Sequence, residues 1–311
     1  CGITHQAGKV IDSSYFEEFF GTLLMLFEPS SSGRKVADII QNDWRLFKDN
    51  DVCTALLGEV MNGISCGYSL YDKVDYATVI RDRVAIWERL KVSVKEKSRF
   101  FTNMDEFSRY NYLTASGACL DKGQRLYRSR ITPAGQRKLK GDKMGCPPKE
   151  QATAGRANPM GIPYLYLSDS AKTTYYEVRA VYLDRLSVGT FEIVRKVNLI
   201  DFGYSVSLYS MFQEGMDRLK ESMIKKMVLA AISEDLSKPL RRYDSELEYV
   251  PTQLICEYCR NNVTPDGGIS YRSSLYQGGM NFVLFDPSAA KCIRVDTHEI
   301  THFDIDRKPP K

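Results

Sequence analysis

The sequence predicts an α+β protein in two parts: a helical region over residues 1–120 and a strand-rich domain over residues 121–311. Three observations lead there. Apolar residues recur at helical spacing through most of the first part. In the second part, short strand-like runs such as LYRSRI, PYLYLS and NFVLFDP are separated by Gly, Pro, Asn and Asp. Between them, GRANPMGIPYLYLSDSAKTTYYE (Gly155 to Glu177) reads as turn, strand, turn and helix in succession.

Composition sets the bounds. The chain has 311 residues, 43% apolar and 26% charged, as expected of a globular protein with room for two domains. A net charge of +4 is far from that of a nucleic-acid-binding protein, and nucleic acid is not an expected partner. No apolar run approaches a membrane span, and no signal segment opens the chain, so a cytoplasmic location is the default expectation. The chain opens on Cys1-Gly2 without a methionine, as expected of a piece of a longer protein. A cysteine at that place would also fit the end of a zinc knuckle. The eight cysteines are scattered, which favours reduced, buried thiols over a disulfide framework.

In the helical part, SSYFEEFFGTLLMLF has a serine cap, an acidic first turn and a broad apolar face. Phe16, Phe19, Phe20 and Phe27 read as core packing. Pro29 to Gly33 reads as a flexible connection, followed by a helical ADIIQNDWRLF. CTALLGEVMNGI is a helix stopped by Asn62-Gly63. YATVIRDRVAIWERLKVSVKEKSRFF reads as one longer helix, although its valines would also suit a strand.

In the second part, LYRSRI is the first strand and places Arg128 in it. TPAGQRKLKGDKMGCPPKEQATAG is a long basic loop just before Arg156, expected to be mobile and to lie over the mouth of the site. Its Arg137, Lys138, Lys140, Lys143 and Lys149 read as solvated charges. VGTFEIVRKVNLIDF reads as two strands, YSMFQEGMDRLKESMIKKMVLAAISEDL as a helix, and Ser233 to Tyr249 as a loop. VPTQLICEYCRNN is a short helix. Its Cys256 and Cys259 read as a buried face, since two cysteines fall short of the four ligands of a structural zinc site. No metal site is expected. KCIRVDTHEITHFDID closes the chain with strand alternation, which gives His298 and His302 structural or surface roles.

The central unit carries a motif. GR-x-N-x-x-G, a strand tyrosine and a helical glutamate appear as Gly155, Arg156, Asn158, Gly161, Tyr166 and Glu177. A Y-x-S-S segment before an asparagine and a strand appears in YRSSLYQGGMNFVLFDP, with Ser273 and Ser274. These residues resemble the RES domain family, over roughly Gln124 to Asp306. Many members have an aromatic residue after the motif arginine, where this chain has Ala157.

The resemblance implies a fold like that of ADP-ribosyltransferases, with a mixed, mainly antiparallel sheet. It implies NAD as substrate rather than a permanently bound cofactor, with phosphate as a possible co-substrate. It also implies phosphorolysis or hydrolysis of NAD, a toxin or defence role, and an antitoxin or regulatory protein as partner. A homo-oligomer is compatible with it. In longer members a relative of HEPN domains precedes the RES domain. HEPN ribonucleases use an arginine and a histidine close together on one helix. The one histidine in this region, His5, stands outside any predicted helix, so the region reads as structural or regulatory.

The chemistry of each residue type fits. Cleaving the bond between nicotinamide and ribose develops positive charge on the sugar, which a carboxylate stabilises; Glu177 is the candidate. A solvated helix face is its bland alternative. Arg156, with Arg128 as a second cation, suits a diphosphate. Tyr166 would offer a flat face and a hydroxyl. Ser273, with Ser274 beside it, would bond a ribose hydroxyl or a phosphate; no histidine lies near it to make it a nucleophile. Asn158 would shape the turn or touch the ligand. No GxxxxGK or GxGxxG stretch is present. Transfer of ADP-ribose to a macromolecule and a binding module without turnover remain the alternatives.

Overall fold

The computed structural model describes residues 13–44, 46–47, 49–64, 67, 69–114, 118–203, 215–238 and 246–302. Cys1, His5 and Cys66 lie outside them. The chain divides into two compact units, Cys1–Ile86 with Ser205–Val228, and Trp87–Tyr204 with Leu229–Lys311.

In the first unit, α1 (Glu17–Leu24) buries Phe20, Leu23 and Leu24, as its apolar spacing predicts. The segment expected to be a flexible connection is instead a strand, β1 (Phe27–Lys35). It pairs antiparallel with β2 (Lys73–Tyr76), with an irregularity between Pro29 and Arg34. Gly33 permits this, because a Cβ there would lie 2.2 Å from the carbonyl oxygen of Val74. Between the strands run α2 (Val36–Ile39), a π-helical turn (Ile40–Trp44) and α3 (Asn50–Gly63), which Asp49 caps by accepting from the Val52 amide. The expected single long helix after β2 is broken. It forms α4 (Thr78–Val84) in this unit and then, in the second unit from Trp87 onward, α5 (Ile86–Val92) and a π-helical turn (Ser93–Lys97).

The second unit carries α6 (Asp105–Arg109) and an eight-stranded sheet. Its strands are β3 (Cys119–Leu120), β4 (Arg125–Ile131), β5 (Leu165–Ser168), β6 (Arg185–Ile193), β7 (Val197–Asp201), β8 (Gly268–Arg272), β9 (Met280–Leu284) and β10 (Ala290–Glu299). Their order is β10-β6-β4-β5-β9-β8-β7-β3. Among the described residues, every pairing in this sheet is antiparallel except β7 with β8. The sheet is therefore mixed and mainly antiparallel, and the chain is α+β. The second unit's other helices are α7 (Ala171–Glu177), the end of α8 (Met216–Ser237), whose residues up to Val228 belong to the first unit, and α9 (Val250–Asn262). The stretch read as helical to Leu236 forms α8 up to Ser237, so the loop expected from Ser233 begins later; residues 209–214 of that stretch lie outside the described residues. Among the described residues, no helix is long and apolar enough to cross a membrane.

Strand alternation sorts the two sheet faces. Leu126, Leu165, Leu167, Phe191, Leu199 and Leu284 form one buried cluster. The basic loop covers it, contrary to expectation. Met144 is fully buried in that cluster, with Leu139 and Cys146 packed against it. Arg130 donates to the Gly145 carbonyl (2.7 Å), Lys138 to the Val295 carbonyl (3.1 Å), and the Leu139 amide to Ser187 Oγ (2.8 Å). An apolar residue inside a Gly- and Lys-rich stretch anchors it, and none of residues 132–154 lines the cleft described below. The other face presents Tyr127, Ser129, Tyr166, Ser168, Tyr271 and Asn281.

Candidate active site

β4 and β5 are neighbours that share a single register pair, Tyr127 with Ser168. Beyond it, Arg128 on β4 reaches across and donates to the Tyr166 carbonyl (3.2 Å). A side chain thus satisfies a backbone acceptor that a continuous ladder would have used. A cleft of about 300 Å³ opens here, at the lower end of the range for small-ligand sites. Its walls include Arg128, Arg156, Tyr166, Glu177, Tyr249 and Asn281.

The Arg156 turn is built by its neighbours. The Gly155 amide donates to the Asn158 carbonyl (2.8 Å). Tyr166 Oη donates to Asn158 Oδ1 (2.8 Å) and accepts from the Ala157 amide (3.0 Å). Asn158 Nδ2 donates to the carbonyls of Thr153 and Pro159, each at 3.1 Å. A Cβ on residue 155 would fall 2.5 Å from Asn158 Oδ1, which explains Gly155. Two expectations change here. The Tyr166 hydroxyl is committed to the turn, and burial pushes its pKa far up, so it is not a free handle for a ligand. Asn158 shapes the turn and does not line the cleft.

Glu177 ends α7, which Ser170 caps by accepting from the Thr173 amide (3.1 Å). Its Oε1 accepts from Ser273 Oγ (2.8 Å) and from Asn281 Nδ2 (2.7 Å). Its Oε2 lies 3.7 Å from Arg156 Nη1. Ser273 Oγ also accepts from the amides of Leu275 (3.2 Å) and Tyr276 (3.1 Å). A hydroxyl with its proton on a carboxylate and its lone pairs on two amides orients Glu177 and is not poised to attack. Ser274 instead donates to the Ser237 carbonyl (2.6 Å), away from the cleft.

Asn281 was within reach of sequence reasoning as the asparagine that follows the serine pair, yet it was not among the expected site residues. Its Oδ1 accepts from Ser168 Oγ (2.8 Å), which aims its Nδ2 at Glu177. Tyr271 was missed as well. It is 2% exposed on β8, where burial raises its pKa and the Arg156 guanidinium pulls the other way. It is the tyrosine that opens the Y-x-S-S segment, but its place beside Arg156 depends on the pairing of β8 with β9.

Arg128 carries an unusual charge. Burial pushes its pKa down to about 10, and Arg130 adds repulsion. The groups that oppose this shift are Cys146 and Tyr166, not a carboxylate. It stays protonated at neutral pH, a cation in the cleft wall that suits an anionic ligand. His298 is bound by the Tyr175 hydroxyl. Cys256 and Cys259 are fully buried on α9. Among the described residues, no three His, Cys, Asp or Glu side chains are grouped to hold a metal ion.

Against known families, the RES domain matches residues 125–306, more than half of the chain. The chain belongs to the RES domain family. The match begins at the first residue of β4 and takes in Arg128, Arg156, Tyr166, Glu177, Ser273 and Asn281. No curated protein and no solved structure matches the chain significantly. The segment that carries α1 to α6 lies ahead of the RES match, and a likeness of that segment to HEPN domains has no support beyond the order of elements.

Proposed function

We propose that this RES protein degrades NAD by cleaving the bond between nicotinamide and ribose. One observation carries the reading: a carboxylate in the wall of a small-ligand cleft, with one oxygen fixed by Ser273 and Asn281 and the other beside Arg156. The bonding electrons leave with nicotinamide, and the sugar C1′ becomes cationic. Glu177 stabilises that charge, and Ser273 and Asn281 hold it still so that little reorganisation is needed as the charge develops. Arg156 and Arg128 supply cations for the diphosphate. Water, which loses a proton to solvent, or inorganic phosphate then bonds to that cationic carbon, giving ADP-ribose or its 1-phosphate. Loss of NAD would arrest growth, which suits a toxin or defence effector.

The test is to incubate the protein with NAD and follow nicotinamide, with and without phosphate. Release that depends on phosphate identifies phosphorolysis, and release without it identifies hydrolysis. Label from NAD found on a macromolecule would identify ADP-ribose transfer instead. No release in any arm removes the proposal.

A further inference from the structure

Arg156 stands on a turn, and a turn keeps its shape through the groups that hold its backbone. This one is held from two sides. From α9, Thr252 Oγ1 donates to the Arg156 carbonyl (2.6 Å), and Gln253 Nε2 to the carbonyls of Gly155 (2.8 Å) and Asn158 (3.1 Å). From α8, the last turn offers carbonyls that have no partner within the helix. Leu236 O accepts from Arg156 Nη1 (3.4 Å), and Ser237 O accepts from Ser274 Oγ (2.6 Å). A helix C-terminus is also the negative end of the helix dipole, which favours a guanidinium there.

Both of these supports are held in turn by one segment. Trp87 Nε1 donates to Asp235 Oδ2 (2.7 Å), and Lys91 Nζ meets the same oxygen (2.9 Å). Lys95 Nζ meets Glu248 Oε2 (2.7 Å), in the 3-10 turn Glu246–Tyr249 that leads into α9 and places Tyr249 in the cleft wall. Trp87, Lys91 and Lys95 recur every four residues, so they form one stripe along the segment. Beside that stripe, Leu90 and Val94 are buried. All three lie ahead of the residues matched to the RES domain.

We propose that Trp87, Lys91 and Lys95 are positioning residues for Arg156, so that the site of this protein is completed by chain outside its RES domain. Trp87 and Lys91 fix the end of α8, and Lys95 fixes the entry to α9. The two helix ends then fix the turn. Only the kinetic part of the test rests on the reading of the cleft as an NAD site.

The test uses the full chain with Trp87→Phe, which stays aromatic but removes the N–H together with the pyrrole ring, and Asp235→Asn, which keeps the shape and removes the charge. Hydrogen exchange is followed at residues 155–158, where the Gly155 and Ala157 amides are bonded, and at β6 and β9 as a check on folding. We expect several-fold faster exchange at the turn with β6 and β9 unchanged. With NAD, KM should rise several-fold while kcat falls less, because Glu177 keeps Ser273 and Asn281. Lys95→Glu and Glu248→Lys should each disturb the turn alone and restore it together. Faster exchange confined to residues 87–97 and 229–237, with the turn as protected as in the wild type, overturns the proposal. A wild type that leaves NAD intact withdraws the proposed activity, while the exchange result still decides the brace.

Discussion

Glu177 has one oxygen committed to Ser273 and Asn281 and the other beside Arg156. Glu177→Gln keeps the size and removes the charge. Turnover should fall by the equivalent of about 2–4 kcal/mol of transition-state stabilisation, with a smaller effect on NAD binding. Nicotinamide release at the wild-type rate would assign the catalytic carboxylate elsewhere. Tyr166 gives the opposite kind of expectation. Its hydroxyl joins Asn158 to the Ala157 amide inside the protein. Tyr166→Phe strands both partners and should cost about 1–3 kcal/mol of stability. Thermal melting measures it. A variant as stable as the wild type, with a selective rise in KM, would return that hydroxyl to the ligand. The sequence marked Tyr166 as a site residue because the motif contains it. Which of its atoms is used depends on partners that only the fold supplies.

At the scale of elements, the loop between β4 and the Arg156 turn is the clearest departure from the sequence reading. Gly, Pro and Lys content argues for mobility, and proximity to Arg156 argues for a lid. Met144 outweighs both, because a fully buried side chain in the sheet cluster fixes the segment over the other face. Limited proteolysis should therefore cut near Lys138 to Lys143 at the same rate with and without an NAD analogue. Protection by the analogue would restore the lid. β1 makes the same point. Its serines and proline read as a connection, but pairing with β2 and the close approach at Gly33 make it a strand. Segments whose conformation comes from a distant partner carry little local signal. By contrast, α3, α7 and α9 were legible, because apolar spacing and, for α7, the serine cap are local properties.

At the scale of the whole molecule, part of the chain ahead of the RES match, from Trp87 on, lies in the compact unit that holds the sheet. Trp87, Leu90, Val94, Phe107, Tyr112 and Leu113 are buried in the same compact unit as the sheet. Removing them strips apolar cover worth roughly 1.5–3 kcal/mol for each large side chain. A fragment that starts at Ala118 should be poorly soluble and melt well below the full chain. Circular dichroism and size-exclusion chromatography check this. A well-behaved Ala118 fragment, with the melting temperature of the full chain, would show the RES-matched residues to be self-sufficient.

The sequence by itself determined the family, the α+β class and the three residues that meet at the carboxylate, Arg156, Glu177 and Ser273. Each is written in a local pattern whose residue types the turn, the helix cap and the charge chemistry require. Only the tertiary structure decided what those residues do to one another. Glu177 and Ser273 are far apart in the chain, and the pairing of β8, β9 and β5 brings them into contact and adds Asn281. The Tyr166 hydroxyl and Ser274 are committed to protein partners that lie on other segments. The support from Trp87, Lys91 and Lys95 is invisible in the motif, because an ion pair or a buried indole has no sequence signature until its partner is placed.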